Sequence, residues 1–149
     1  MIISSNELIR AEVENAEIPW VKVFCQREVK EFFQCSIEEK NEIFRVIDII
    51  ERQMDAYFSP DKINIASFGN MLPQVHWHVM ARFENDSYFP QLMWGEKQRE
   101  STLELPSFDV FYNNLGSLLK SYFNAGPREE LSPSMLAMAQ QRLRSALVY

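Results

Sequence analysis

Histidine is scarce in this chain of 149 residues, which has only two. Cysteine is equally scarce, with Cys25 and Cys35 alone. Two cysteines do not make the disulfide framework of a small secreted domain, so a reduced, cytoplasmic setting is expected. No apolar run approaches the ~20 residues that a membrane span needs. The opening MIISSNELIRAEVENAE has no basic segment followed by an apolar one, so it does not read as a secretion signal. A basic excess is also missing. Fifteen Lys and Arg stand against 21 Asp and Glu, for a net charge of −6. That balance argues against nucleic-acid polymers and anionic membranes as partners, since both need a basic face. A small anionic ligand remains admissible, because a site can be locally positive in an acidic protein.

Neither an internal repeat nor a low-complexity segment is present. The length suits one ordinary domain over residues 1–149, and the 46% hydrophobic and 24% charged fractions suit a soluble globular one. Leu8–Val13 has weak strand character. Ile18–Gln26 alternates Val21, Val23 and Cys25 with Lys22 and Phe24, a strand pattern. Arg27–Gln34 reads as a loop or short turn. Ser36 with Glu39 three residues on is a capping box. It opens a helix whose apolar positions are Ile37, Ile43, Phe44, Ile47, Ile50, Met54 and Tyr57. Ser59-Pro60 closes it.

Lys62–Phe68 and Gln74–Phe83 read as strands whose short connection favours antiparallel pairing. Pro106–Phe123 is expected to be helical with Pro in the first turn. Ser132-Pro133 is expected to open a last amphipathic helix to about Leu147, with Leu136, Ala139, Leu143 and Leu147 on its apolar face. This order of elements predicts an α+β fold with an antiparallel sheet.

Both histidines lie in one stretch, GNMLPQVHWHVMARF, residues 69–83. Strand alternation puts Gln74, His76, His78 and Met80 on one face, with the imidazoles ~7 Å apart at two rises of ~3.3 Å. Val75, Trp77, Val79 and Ala81 fall on the other face, which is expected to meet the core. Three readings are open. The first is an exposed polar strand face with no chemistry. The second is a metal chelate of the His-x-His type, which needs further ligands. No third histidine exists, and Cys25 and Cys35 lack chelate spacing. The third is nucleophilic imidazole chemistry at phosphorus.

At this point the residues resemble a known family. The histidine triad (HIT) signature is His-φ-His-φ-His-φ-φ, with φ hydrophobic. This chain reads Gln74-Val75-His76-Trp77-His78-Val79-Met80. The flanks KINIASFGN and ARFENDSYFPQLMWG look like a bacterial branch related to diadenosine polyphosphate hydrolases, in which Gln stands at the first triad position. PWVKVFCQREV resembles the family strand that runs into a turn. The resemblance covers roughly Ile18 to Gly95.

It implies a HIT-like sheet of about five strands with one main helix after the second strand. The expected core is about 8–95, and the additional C-terminal helices, over about 106–148, are read from the residue pattern alone. The resemblance also implies that His76 attacks the α-phosphorus of a nucleotide, with no cofactor and no metal. His78 would contact the phosphate and, if protonated, stabilise negative charge. Asn64, Gly69, Asn70 and Arg82 would face ribose and phosphates. For Gly69-Asn70 a plain β-turn is the other reading; for Arg82 it is a surface ion pair with Glu84 or Asp86. Glu28 stands about where many members carry a fourth histidine. Gln74 thus replaces a triad member with an amide that cannot shuttle protons at neutral pH. A homodimer is implied as well. Trp20, Phe24, Phe44 and Trp77 are expected in the core, while Tyr88, Phe89 and Trp94 are open to stacking on a base, packing a dimer interface or packing the C-terminal helices.

Overall fold

A computed structural model describes residues 1–126 together with Ala137 and Gln141. The chain forms β1 (Ile2–Ser5), β2 (Ile9–Val13), β3 (Trp20–Cys25), α1 (Ile37–Phe58), β4 (Lys62–Ala66), β5 (His76–Arg82) and α2 (Phe108–Asn124). The five strands make one sheet in the order β1-β2-β3-β5-β4, with every neighbour antiparallel. This is the α+β architecture expected from the element order.

Two details differ from the sequence expectation. β1 is an additional strand, so the main helix follows the third strand rather than the second. IISS is short and sits at the sheet edge, with a register shift between Ile2 and Ser4, so its pattern carries little signal. Phe32–Gln34 forms a 3-10 turn, in keeping with the loop or short turn expected there. The second helix starts at Phe108, not Pro106, because the Ser107 hydroxyl accepts from the Val110 N–H and caps it. Of the expected helix over 132–147, only Ala137 and Gln141 are described, both helical and exposed; the rest lies outside the described residues.

α1 is as the capping box requires. The Ser36 hydroxyl accepts from the Glu39 N–H, and the Glu39 carboxylate accepts from the Ser36 N–H. Such a cap stabilises a helix by about 1 kcal/mol. The helix ends where Ser59 turns left-handed at φ 47° ahead of Pro60. Ile43, Val46, Ile47, Ile50 and Met54 bury one stripe against the sheet. Ile37 and Phe44, expected on that stripe, are exposed. They lie on its flank, and the true stripe instead takes in Val46 and Ile49.

Antiparallel partners share a face, so the register decides what meets what. Val21, Val23, Val79, Ala81 and Ile63 face α1 and build the core. Trp20, Lys22 and Phe24 of β3 pair with Met80, His78 and His76 of β5 on the opposite face. An exposed polar surface is one of the readings left open for that face, and it is not the one found, since His76, His78 and Met80 are all buried. The covering groups come from outside β5 and are described next.

Candidate active site

The two imidazoles sit in an apolar cleft of about 510 Å3. Its floor is the β3–β5 face, with Trp20, Lys22, Phe24, His76 and His78. The 69–72 turn and the loop carrying Leu92 and Trp94 build its rim. Gly69 holds φ 90°, and a Cβ there would come within 3.3 Å of the Leu72 carbonyl oxygen, so the turn selects glycine. The Asn70 side chain and the Gly69 and Asn70 N–H groups have no hydrogen-bond partner among the described residues.

His76 is fixed from two sides. Its ring stacks on Phe24, with centroids 4.9 Å apart and planes 20° apart. Phe24 in turn carries the Arg10 guanidinium 4.2 Å from its centroid. The His76 Nδ1 lies 2.7 Å from the Gln74 backbone carbonyl oxygen. A carbonyl only accepts, so Nδ1 bears the proton and Nε2 keeps its lone pair.

His78 is fixed the other way round. The Trp20 indole Nε1–H donates to His78 Nδ1 at 3.0 Å. An indole N–H only donates, so Nδ1 is bare and the proton sits on Nε2. The two rings are 4.9 Å apart, closer than strand spacing alone suggests, because they tilt toward each other at 70°. His78 is held far below the ordinary histidine range, at about 4. Burial is the main cause; the nearby His76 and Lys22 add to it, and Glu14 opposes. His78 is therefore neutral at pH 7. Charge stabilisation by His78 is expected on condition that it is protonated; the ring is instead a neutral N–H donor.

The other anticipated site residues divide. Gly69 and Asn70 line the cleft with the histidines. Asn64 lines an adjoining hollow of about 290 Å3 that shares Phe68, Leu92 and Trp94 with the cleft. Its Oδ1 accepts from Arg82 Nη1. Arg82 lies outside the cleft and is 2% exposed. It forms an ion pair with Asp86 and donates to the Gln91 carbonyl, thereby holding the loop that presents Leu92 and Trp94. Of the two readings for Arg82, the ion pair is the one found, in the interior rather than at the surface. The Gln74 side chain donates to the Cys25 carbonyl and does not line the cleft. Glu28 is exposed and also stands outside it.

Sequence reasoning placed Trp20 and Phe24 in the core. Both are buried, yet both form the cleft wall. Only the pairing of β3 beside β5 puts them there, and that pairing is not written in either strand alone. Trp94 does join the site, with its ring 4.9 Å from His78 and 5.1 Å from Trp20. Tyr88 and Phe89 do not line it.

The fold also brings together Cys25, Cys35 and Glu39, whose ligand atoms lie within 4.8 Å of one another. Their sequence spacing alone gave no chelate. Both Glu39 oxygens are committed, to Arg27 and to the Ser36 N–H. Arg27 holds that carboxylate at about 2, and burial pushes the Cys25 thiol up to about 12. The cluster thus packs as neutral thiols beside a closed ion pair, a structural arrangement. Among the described residues, no helix is long and apolar enough to cross a membrane.

A five-stranded antiparallel sheet with helices on one face and two strand-borne imidazoles in a cleft on the other defines an α+β protein of the histidine-motif kind. The HIT domain model matches residues 3–85, more than half of the chain, and the chain belongs to the HIT family. Among solved structures, a histidine triad protein from Bradyrhizobium japonicum is 25% identical, with TM-score 0.64, covering 81% of this chain and 88% of its own. One from Sinorhizobium meliloti is 24% identical, with TM-score 0.63, covering 81% and 87%. One from Marinobacter aquaeolei is 21% identical, with TM-score 0.63, covering 84% and 89%. No curated protein matches the chain.

Proposed function

We propose that this HIT protein is a nucleotidyl hydrolase or transferase that works through a covalent nucleotidyl-His76 intermediate. The observation that carries the reading is the hydrogen bond from His76 Nδ1–H to the Gln74 carbonyl, which directs the lone pair onto Nε2. That lone pair attacks the α-phosphorus of a nucleotide. A nitrogen–phosphorus bond forms as the bond to the leaving group breaks, and the leaving group takes the electron pair. Water or another acceptor then attacks the same phosphorus. His76 is released, and with water the product is a nucleoside monophosphate.

His78 Nε2–H supplies a hydrogen bond to a phosphoryl oxygen as its charge grows, in a mainly apolar cleft. Asn70 and the Gly69 and Asn70 N–H groups are further donors beside the histidines. Trp94, Trp20 and Phe68 offer aromatic faces and edges for a base. Asn64 stands in the adjoining hollow, where its unpartnered amide nitrogen suits a ribose or phosphate oxygen. The finer reading, a hydrolase of diadenosine polyphosphates acting as a cytoplasmic homodimer, rests on the signature with Gln74 at its head.

A second reading is a slow, nucleotide-binding regulatory module. Gln74 favours it, since its amide is tied to the Cys25 carbonyl and moves no proton. Purified wild type and His76→Ala incubated with dinucleoside polyphosphates and adenosine phosphoramidates separate the two. Turnover by the wild type alone supports the enzyme. Nucleotide affinity without turnover in either protein supports the binding module and overturns the enzyme.

A further inference from the structure

From the Trp20–His78 contact we infer that Trp20 is a positioning residue, which sets the second imidazole of the site as a neutral Nε2–H donor. The inference rests on the catalytic reading above for its purpose, but not for its geometry. Trp20 opens β3, and its indole N–H has one partner among the described residues, His78 Nδ1 at 3.0 Å. The residue is held in place from several sides. Its backbone N–H donates to the Tyr112 hydroxyl of α2, its carbonyl accepts from the Glu14 N–H, and Trp94 packs edge-on against it at 5.1 Å. Trp20 is 8% exposed and His78 7%, so water does not compete freely for either group.

The consequence follows from hydrogen-bond roles. His76 and His78 are alike in sequence context, each one strand step from an apolar neighbour. Left to themselves, two imidazoles 4.9 Å apart exchange tautomers and compete for protons. Here a backbone carbonyl locks one ring as Nδ1–H, and an indole locks the other as Nε2–H. One ring is left to attack and the other to donate. The titratable groups facing His78 are His76 on its own strand, Lys22 of β3, and Glu14 in the β2–β3 connection. Lys22 and Glu14 form an ion pair, so neither offers His78 an unpaired charge. The indole is the one group among the described residues that hydrogen-bonds the His78 ring.

The test replaces Trp20 with 3-benzothienylalanine, which keeps the bicyclic shape and puts sulfur where the N–H was. Trp20→Phe is a second variant that any expression host makes. With only two histidines in the chain, 15N-labelled imidazoles are readily assigned, and two-bond nitrogen–proton correlations read each tautomer directly. In the wild type, His76 is expected as Nδ1–H and His78 as Nε2–H. In the isosteric variant His78 becomes a mixture of tautomers while His76 is unchanged. Its kcat for nucleotide turnover falls by roughly 10–100-fold with little change in KM, because the donor matters most as charge develops. A wild-type His78 protonated at Nδ1, or a variant His78 that stays wholly Nε2–H, overturns the inference. The tautomers are read without substrate. Absence of turnover therefore strikes the catalytic reading alone, and a wrong tautomer in an active protein strikes only the role of Trp20.

Discussion

His76 and His78 face each other at 4.9 Å with opposite protonation: the first carries its proton on Nδ1, toward the Gln74 carbonyl, and the second on Nε2, away from the Trp20 indole. Two identical side chains on one strand thereby acquire different jobs. The division is made by groups that only accept or only donate, so it does not depend on a third histidine at position 74.

The first prediction concerns pH. The folded state holds His78 at about 4, while an unfolded histidine takes up its proton near 6.5. Between these values the unfolded chain binds more protons, so stability rises with pH. The His78 contribution is complete above about 6.5 and is lost as pH falls toward 4, amounting to about 3 kcal/mol across the window. Urea unfolding of wild type and His78→Gln at pH 7, 5.5 and 4.5 measures it. The stability gap between the two is expected to change over that range, with the wild type losing more. Parallel pH profiles would show that His78 titrates normally.

Arg82 is expected to act on the site from a distance. Arg82→Met leaves Asp86 buried without its cation, which costs about 3–5 kcal/mol. It also frees the Gln91 carbonyl and the loop ahead of Leu92 and Trp94. Calorimetry should show a lowered Tm. Nucleotide binding should weaken without any change in its salt dependence. A reduced salt slope would instead mark Arg82 as a phosphate contact.

Trp94 is half-exposed and touches His78, Trp20 and Phe68 by its ring edges and faces. If it forms the wall against a base, Trp94→Ala costs about 1–3 kcal/mol of binding, a five- to hundredfold rise in Kd. Titration calorimetry with a nucleoside monophosphate and with inorganic phosphate checks this. The mononucleotide should weaken and inorganic phosphate should not. Equal weakening of both would place Trp94 at the phosphate.

Much of this was readable before any coordinates. Ser36 and Glu39 fixed the start of α1 to the residue, because a capping box is a local device. The His-x-His alternation put both imidazoles on one face for the same reason. Three things were not local. IISS becomes a strand only because β2 offers it an edge. Trp20 and Phe24 look like core residues in any single strand, and the β3–β5 register turns them into cleft wall and ring clamp. Arg82 sits two residues beyond the last motif position, and only the fold of 86–91 around it shows that it serves the interior. The protonation of His78 is not legible in the strand pattern, because its burial under Trp20, Phe68 and Trp94, which makes a charged ring costly, comes from other elements.

The most direct measurement of the central claim is mass spectrometry of the protein quenched in acid-free buffer during turnover of a dinucleoside polyphosphate, with His78→Ala run alongside to slow release. A nucleoside monophosphate adduct on His76, absent from His76→Ala, is the predicted result. Turnover by the wild type with the adduct on another residue, or undiminished turnover by His76→Ala, would contradict it.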